Sequence, residues 1–469
     1  MGVMLILALL LGVCVPPDLQ RDVDQLSHVS LRRRMAARAR VLKAGPKAIP
    51  PLLKVLRGNR RDPYKRHAAL YLLGELGDRS ASKTLIRIAT RERESERQRF
   101  WALSSLTKIR EEKAIPIATS LLGSDREPLR RASIELILSH GPDVSAPILL
   151  KGLRSETRAA RAASAAGLRR LSGEKMQFDP DGDDASREES VKRWEAWWQD
   201  KKSFLPPPKA RPVMQAYRMK ECIVLTDRGE ARAHEIGKRV TILRRDFARW
   251  FGMEEEGYET RVREFARWED FRRYGAVNQW GFHIVAEFFY SPFLHEVITF
   301  DTGRVGSNDR GLIHEVFHDF YHRNTETQLP WFNEGMAEHF ETWIFKEGKL
   351  VEGARNMEWM ERARKAIEGA RPGFLQDLMG LTQEQFYFQG REGYYAVSWA
   401  WVDFLAGRED GKRDLRRVFR WLRKSSGREK ITRRVFGTKK LKRLFKELRE
   451  SMQGEQEARK GLTRLPLSL

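Results

Sequence analysis

Apolar and polar positions in the first third of the chain follow two superposed rhythms. The shorter one is helical. An arginine is followed three residues later by a small residue, and four further on by an aliphatic one, which places all three on one face of a helix. The longer rhythm repeats this triplet. Arg34, Arg66, Arg99, Arg130 and Arg161 stand 32, 33, 31 and 31 residues apart. Ala37, Ala69, Ala102, Ser133 and Ser164 keep step with them, as do Val41, Leu73, Leu106, Ile137 and Leu168. Turn regions marked by Gly45, Gly77 and Gly141 follow, and second apolar helices are expected at 48–56, 81–89, 114–122 and 144–153. Helix pairs repeated at a period near 32 predict an α-solenoid over residues 31–173, the small residues letting paired helices approach and the aliphatic ones filling the layer between them.

This repeat pattern resembles short HEAT-like repeats, which implies an extended surface for a protein partner. Residues 174–216 form a junction. The acidic run Asp179-Pro180-Asp181-Gly182-Asp183-Asp184 superficially resembles a calcium loop, but Ser190 stands where an EF-hand needs glutamate. The run is expected to be a polar turn leading into a helix whose Trp194, Trp197 and Trp198 cap the last repeat. Pro206-Pro207-Pro208 ends the segment as a stiff linker. From Tyr217 onward the pattern is mixed. Strands are expected at 221–226, 258–265, 281–289 and 295–300, a long amphipathic helix at 231–251, and helices to the end after Gly311. The expected fold is an α-helical HEAT-like solenoid followed, at 217–450, by an α+β domain with a helical C-terminal part and a tail at 451–469.

With 41% hydrophobic and 32% charged residues, the composition excludes a multi-span membrane protein. The net charge of +23, from 87 Lys and Arg against 64 Asp and Glu, favours an anionic surface as a partner. No finger, homeodomain or RNA-recognition motif accompanies the charge, so nucleic acid is not the expected partner. The two cysteines, Cys14 and Cys222, make no disulfide framework. Residues 3–15 are an unbroken apolar stretch followed by Pro16-Pro17, and residues 1–20 are expected to be a signal peptide or lipoprotein leader, with Cys14 the candidate for lipidation. Export to the periplasm, the exterior or a lipid-anchored position follows from that expectation.

The chemistry concentrates at residues 311–343. His314-Glu315-Val316-Phe317-His318 lies in an apolar helical stretch. Residues four apart on a helix are about 40° apart around its axis, so both imidazoles point the same way and can share one Zn²⁺. Glu315 sits beside that pair, placed to take a proton from water at the cation. Fifteen residues after His318 comes Glu334, within Trp331-Phe332-Asn333-Glu334-Gly335-Met336-Ala337-Glu338. A loop and a second helix can therefore bring a carboxylate back to the metal. A strand at 295–300 would offer an edge for an extended peptide.

The HExxH motif together with Trp-Phe-Asn-Glu-Gly-Met-Ala-Glu resembles the gluzincin metallopeptidases, in particular the peptidase MA-like domains, over roughly residues 217–450. The resemblance implies a zinc peptidase acting on protein or peptide substrates, with His314, His318 and Glu334 as ligands and Glu315 as the base. It also implies a supporting carboxylate at Glu338 that orients a ligand histidine. Related domains carry a tyrosine-rich stretch downstream, matched here by Tyr394 and Tyr395, either of which is a candidate for stabilising an oxyanion. His322 carries less weight, since a fourth protein ligand would close the position that catalysis needs open. So do His339, which points away from Glu334, His295, which lacks a second histidine at the right spacing, and His283, which reads as a half-buried strand residue. The rival reading is a HEAT-repeat binding or scaffold protein whose zinc-peptidase-like domain is structural or inactive.

Overall fold

The structure, a computed structural model, describes residues 17–28, 31–58, 62–174, 176–201, 214–254, 257–279, 287–303, 307–370, 373–389, 391–424 and 428–463. The apolar stretch at 3–15 with Cys14, the prolines at 206–208, His283 and the last six residues lie outside them. The chain forms two compact units, residues 1–212 with 272–284, and residues 213–271 with 285–469.

The first unit begins with α1 (Pro17–Asp24) and continues as helix pairs: α2 (Leu31–Lys43) with α3 (Ile49–Arg57), α4 (Pro63–Leu76) with α5 (Ser82–Thr90), α6 (Glu96–Ile109) with α7 (Ile115–Leu121), and α8 (Glu127–Leu138) with α9 (Pro142–Leu153). α10 (Arg158–Ser172) and α11 (Asp184–Lys201) follow. The five small and five aliphatic residues of the triplet are all buried, none more than 1% exposed. The arginines have a role the periodicity does not reveal. Each donates to a backbone carbonyl at the end of the preceding helix or in the turn after it: Arg34 to His28 (2.6 Å), Arg66 to Leu56 (2.8 Å), Arg99 to Ala89 (2.9 Å), Arg130 to Ser124 (2.6 Å) and Arg161 to Ser155 (3.0 Å). Carbonyls near a helix C-terminus lack intrahelical donors, and the arginine of the next repeat supplies one.

Close approach explains the small residues. A Cβ on Gly74 would lie 2.7 Å from Ser105 Oγ, and one on Gly152 would lie 2.1 Å from Ser164 Oγ. Trp194 packs edge-on against Trp197 at 5.7 Å, and Trp194, Trp197 and Trp198 are all buried. The acidic run is a polar turn: Asp181 pairs with Arg158, and the Pro180 carbonyl accepts from Arg161.

The second unit contains a five-stranded sheet of β1 (Gln215–Arg218), β2 (Cys222–Thr226), β3 (Thr260–Phe265), β4 (Phe288–Ser291) and β5 (Glu296–Phe300) in the order β1-β2-β3-β5-β4. β2, β3 and β5 run parallel, and β1 and β4 are antiparallel strands at the two ends. The edge expected at 295–300 is therefore displaced: β5 is interior and β4 is the edge, because strand order depends on pairings that no local pattern encodes. His295 forms the turn between them with φ +53°, and its Nδ1 lies 2.6 Å from Tyr290 Oη. α12 (Glu230–Phe251) links β2 to β3, and α13 (Trp268–Asn278) follows β3.

The remaining chain is α14 (Ser307–Asn324), α15 (Pro330–Glu341), a hairpin of β6 (Ile344–Lys346) and β7 (Lys349–Val351), then α16 (Met357–Glu368), α17 (Phe374–Gly380), α18 (Gln383–Gln389), α19 (Arg391–Ala406), α20 (Glu409–Leu422), α21 (Arg428–Val435) and α22 (Gly437–Thr463). An aromatic core joins α12, α14, α15 and α20: Phe247 meets Phe317 edge-on at 5.4 Å, and Phe251 stacks on Phe419 at 4.1 Å. Cys222 is a buried free thiol, and burial pushes its pKa up to about 11. Among the described residues no helix is long and apolar enough to cross a membrane.

Candidate metal centre

α14 is apolar on the face that carries Ile313, Val316, Phe317 and Phe320, and that face enters the core. His314, Glu315 and His318 are left at the margin of the core. The start of the helix is pressed against β4, since a Cβ on Gly311 would lie 2.4 Å from the Phe288 ring. The return to α15 is pinned where Leu329 N donates to Tyr321 Oη at 2.8 Å. Pro330 then opens α15, the position where a missing N–H costs least. Gly335 lets α15 settle onto α19, as a Cβ there would lie 2.5 Å from the Ser398 carbonyl oxygen.

These two helices bring His314, His318 and Glu334 together, with one ligand atom from each mutually within 4.8 Å. Glu334 Oε2 lies 3.8 Å from His314 Nε2 and 3.6 Å from His318 Nε2. A tetrahedral Zn²⁺ with bonds of about 2.0–2.2 Å keeps its ligand atoms roughly 3.4 Å apart. The two carboxylate–imidazole spacings fit such an ion with shifts of a few tenths of an ångström.

The outer atoms of each ligand are held. His314 Nδ1 lies 2.9 Å from Glu341 Oε2, and His318 Nδ1 lies 3.0 Å from Asn333 Oδ1. With Nδ1 donating, each Nε2 presents its lone pair towards Glu334. Glu334 Oε1 accepts from Tyr387 Oη at 2.6 Å.

The charge balance also suits a cation. Glu315, Glu334 and Glu338 are all under a tenth exposed, and among the described residues no Arg or Lys pairs with any of them. Burial pushes the Glu315 carboxyl up, the two imidazoles opposing it, and pushes Glu338 up to about 7. Burial works against a charged His314, yet the hydrogen bond to Glu341 and the charges of Glu315 and Glu338 raise its pKa well above the ordinary value. Buried carboxylates with only imidazoles to balance them are costly, and a bound cation removes that cost. The backbone amide of Tyr290, on β4, adds a smaller influence that lowers the Glu315 pKa.

One expectation needs correction. The bond expected of Glu338 to a ligand histidine is made by Glu341. Glu334, Glu338 and Glu341 share one face of α15 at helical spacing, so either carboxylate lies near His314, and the one a turn further on reaches Nδ1. The tyrosine hydroxyl bonded to Glu334 is that of Tyr387, a residue the sequence reading does not single out, whereas Tyr394 and Tyr395 are the ones expected near the reacting carbonyl. Those two pack their rings against Phe386, at 5.8 and 5.4 Å. Asn333 and Glu341 were within reach of sequence reasoning, one inside the motif and one at helical spacing from Glu334. Tyr387, 53 residues away, gave no signal. His322 stacks on Tyr290 at 5.2 Å, and His339 Nδ1 lies 3.3 Å from Asp403.

Compared with known protein families, residues 49–139 match HEAT repeats. That span runs from α3 through α8, so the first unit carries a HEAT-like repeat scaffold of the kind used to bind other proteins. No curated protein matches the chain.

Proposed function

We propose that this chain is a HEAT-repeat binding protein whose second unit is a zinc-dependent peptide-bond hydrolase of the gluzincin type. The observation that carries the hydrolase reading is the convergence of His314, His318 and Glu334 on one small volume, with Glu315 beside them. Zinc held there supplies Lewis acidity to a peptide carbonyl and to water at its open position. The protein residues do the rest. Glu315 takes a proton from the attacking water and delivers it to the leaving amine. β4 offers an edge along which an extended peptide can pair. The repeats present a surface for the substrate protein or a partner, and the basic charge suits an anionic surface as a further contact.

The test is peptide-library or casein turnover by the full chain. Turnover is expected to stop on chelation and return with Zn²⁺. Glu315→Gln is expected to lose at least about a hundredfold in rate while retaining zinc, the usual scale for a general base. Full activity in that variant would refute the mechanism.

A second reading is favoured by the HEAT-repeat match itself, which concerns binding alone. On this reading the repeats are the working part, and the zinc unit is structural or inactive. It predicts stoichiometric zinc and no turnover of any peptide, with partner capture undisturbed by Glu315→Gln.

A further inference from the structure

Hydrogen bonds that meet at Glu334 Oε1 link two of the three candidate ligand residues. His318 Nδ1 lies 3.0 Å from Asn333 Oδ1. The Asn333 amide nitrogen in turn donates to Glu334 Oε1 at 3.5 Å. Tyr387 Oη donates at 2.6 Å to Glu334 Oε1, the oxygen turned away from the imidazoles. The single hydroxyl proton of Tyr387 is therefore spent on Glu334, whose Oε1 also takes the longer bond from Asn333. Such a group sets another side chain; it does not itself meet a reacting carbonyl.

The helix that carries this hydroxyl is not one of the two that carry the ligands. α18 is a separate short segment, and Tyr387 is held on it by ring contacts to Phe386 at 5.4 Å and Tyr395 at 6.3 Å. Tyr395 and its neighbour Tyr394 also flank Phe386. The tyrosines of α19 thus support α18, and α18 reaches the ligand.

We infer that Tyr387 is a positioning residue for the third ligand, its hydroxyl holding Glu334 Oε1 so that only Oε2 faces the two imidazoles. This inference rests on the zinc reading above. A carboxylate held by one oxygen binds through the other alone and leaves room for an open coordination position. Released, Glu334 is free to turn or to offer both oxygens, and its buried Oε1 loses its strongest donor. Supporting partners of metal ligands commonly contribute ten- to a hundredfold in affinity.

The experiment uses the full chain stripped of metal, with Zn²⁺ affinity measured by competition against a chromophoric chelator and the visible spectrum recorded with Co²⁺. Tyr387→Phe keeps the ring and removes only the bond. It is expected to bind Zn²⁺ about ten- to a hundredfold more weakly and to show an altered Co²⁺ spectrum, with the melting temperature of the metal-free protein unchanged. Glu334→Ala is the reference for loss of the ligand itself. Asn333→Ala removes the other donor to Glu334 Oε1, together with the partner of His318 Nδ1, and is expected to weaken binding by a similar factor, so the holding of Oε1 remains testable if Tyr387→Phe does not fold. Wild-type affinity and spectrum in both variants, alongside a clear loss in Glu334→Ala, would overturn the positioning role and leave the metal centre standing. Absence of Zn²⁺ binding by the wild type would overturn both.

Discussion

Gly335 shows how a single residue governs the site. On an ordinary helix, replacing glycine by alanine gains about 1 kcal/mol. Here the new Cβ would stand 2.5 Å from the Ser398 carbonyl oxygen and 2.8 Å from a methyl carbon of Val402. The obstructing oxygen is backbone, so α15 itself must move, and overpacking of this kind costs about 1–3 kcal/mol beyond the propensity gained. Gly335→Ala is expected to lower stability by about 2 kcal/mol in urea unfolding and to weaken Zn²⁺ binding, because Glu334 is its neighbour. An equally stable or stabilised variant would show that the close approach does not govern α15. The convergence of His314, His318 and Glu334 was legible because two histidines four apart and a carboxylate in a characteristic motif are local facts. The hydroxyl of Tyr387 was not, since its approach to Glu334 depends on where α17 and α18 lay the chain down. Glu341 was missed for a subtler reason: helical spacing put two carboxylates near His314, and only the side-chain geometry decides between them.

At the scale of elements, the repeat arginines differ in consequence although they share a register. Arg66 donates to the Leu56 carbonyl and pairs with Glu94 at 3.2 Å, the two side chains being 1% and 4% exposed. Arg130 closes the turn at Ser124 from a half-buried position. Removing one member of a buried ion pair strands the other charge, at roughly 3–5 kcal/mol, whereas a single bond to a carbonyl is worth about 1 kcal/mol. Arg66→Ala is therefore expected to shift the urea midpoint of the repeats several times further than Arg130→Ala. Equal small shifts would mean that water reaches Glu94. The solenoid was readable because each repeat imposes the same packing demand at the same spacing, and the helices lie close to where the triplets put them. The sheet was less readable. β1 reads Gln-Ala-Tyr-Arg and is mostly exposed, so its period-two signal is absent, and it is a strand only because β2 lies beside it. β4 and β5 were both suggested by their aromatic and β-branched residues, but which of them forms the edge is a fact about partners.

Over the whole molecule the net charge of +23 is unevenly placed. Residues 409–452 hold 17 Lys and Arg against 6 Asp and Glu, nearly half the net excess in about a tenth of the chain. These residues form α20, α21 and most of α22. Lys440 of α22 pairs with Asp414 of α20, and Arg434 of α21 lies over Trp421 of α20, so the three helices are neighbours. Arg413, Arg420, Arg433, Lys439 and Lys442 are exposed and, among the described residues, form no ion pair. Cations left unpaired in this density raise the local potential and attract a surface of opposite sign. A basic residue close to an anionic lipid surface contributes about 1 kcal/mol, and screening shortens the reach of each from about 10 Å at 0.1 M salt to about 3 Å at 1 M. The full chain is therefore expected to bind vesicles rich in anionic lipid at low salt, to release them by at least tenfold in affinity as salt rises towards 1 M, and to ignore neutral vesicles. Arg433→Glu with Lys439→Glu and Lys442→Glu is expected to abolish most of that binding while leaving Zn²⁺ affinity intact, since none of the three touches the ligand set. Binding that persists at high salt, or that is equal on neutral vesicles, would show that charge on these helices is not what holds the protein to a surface.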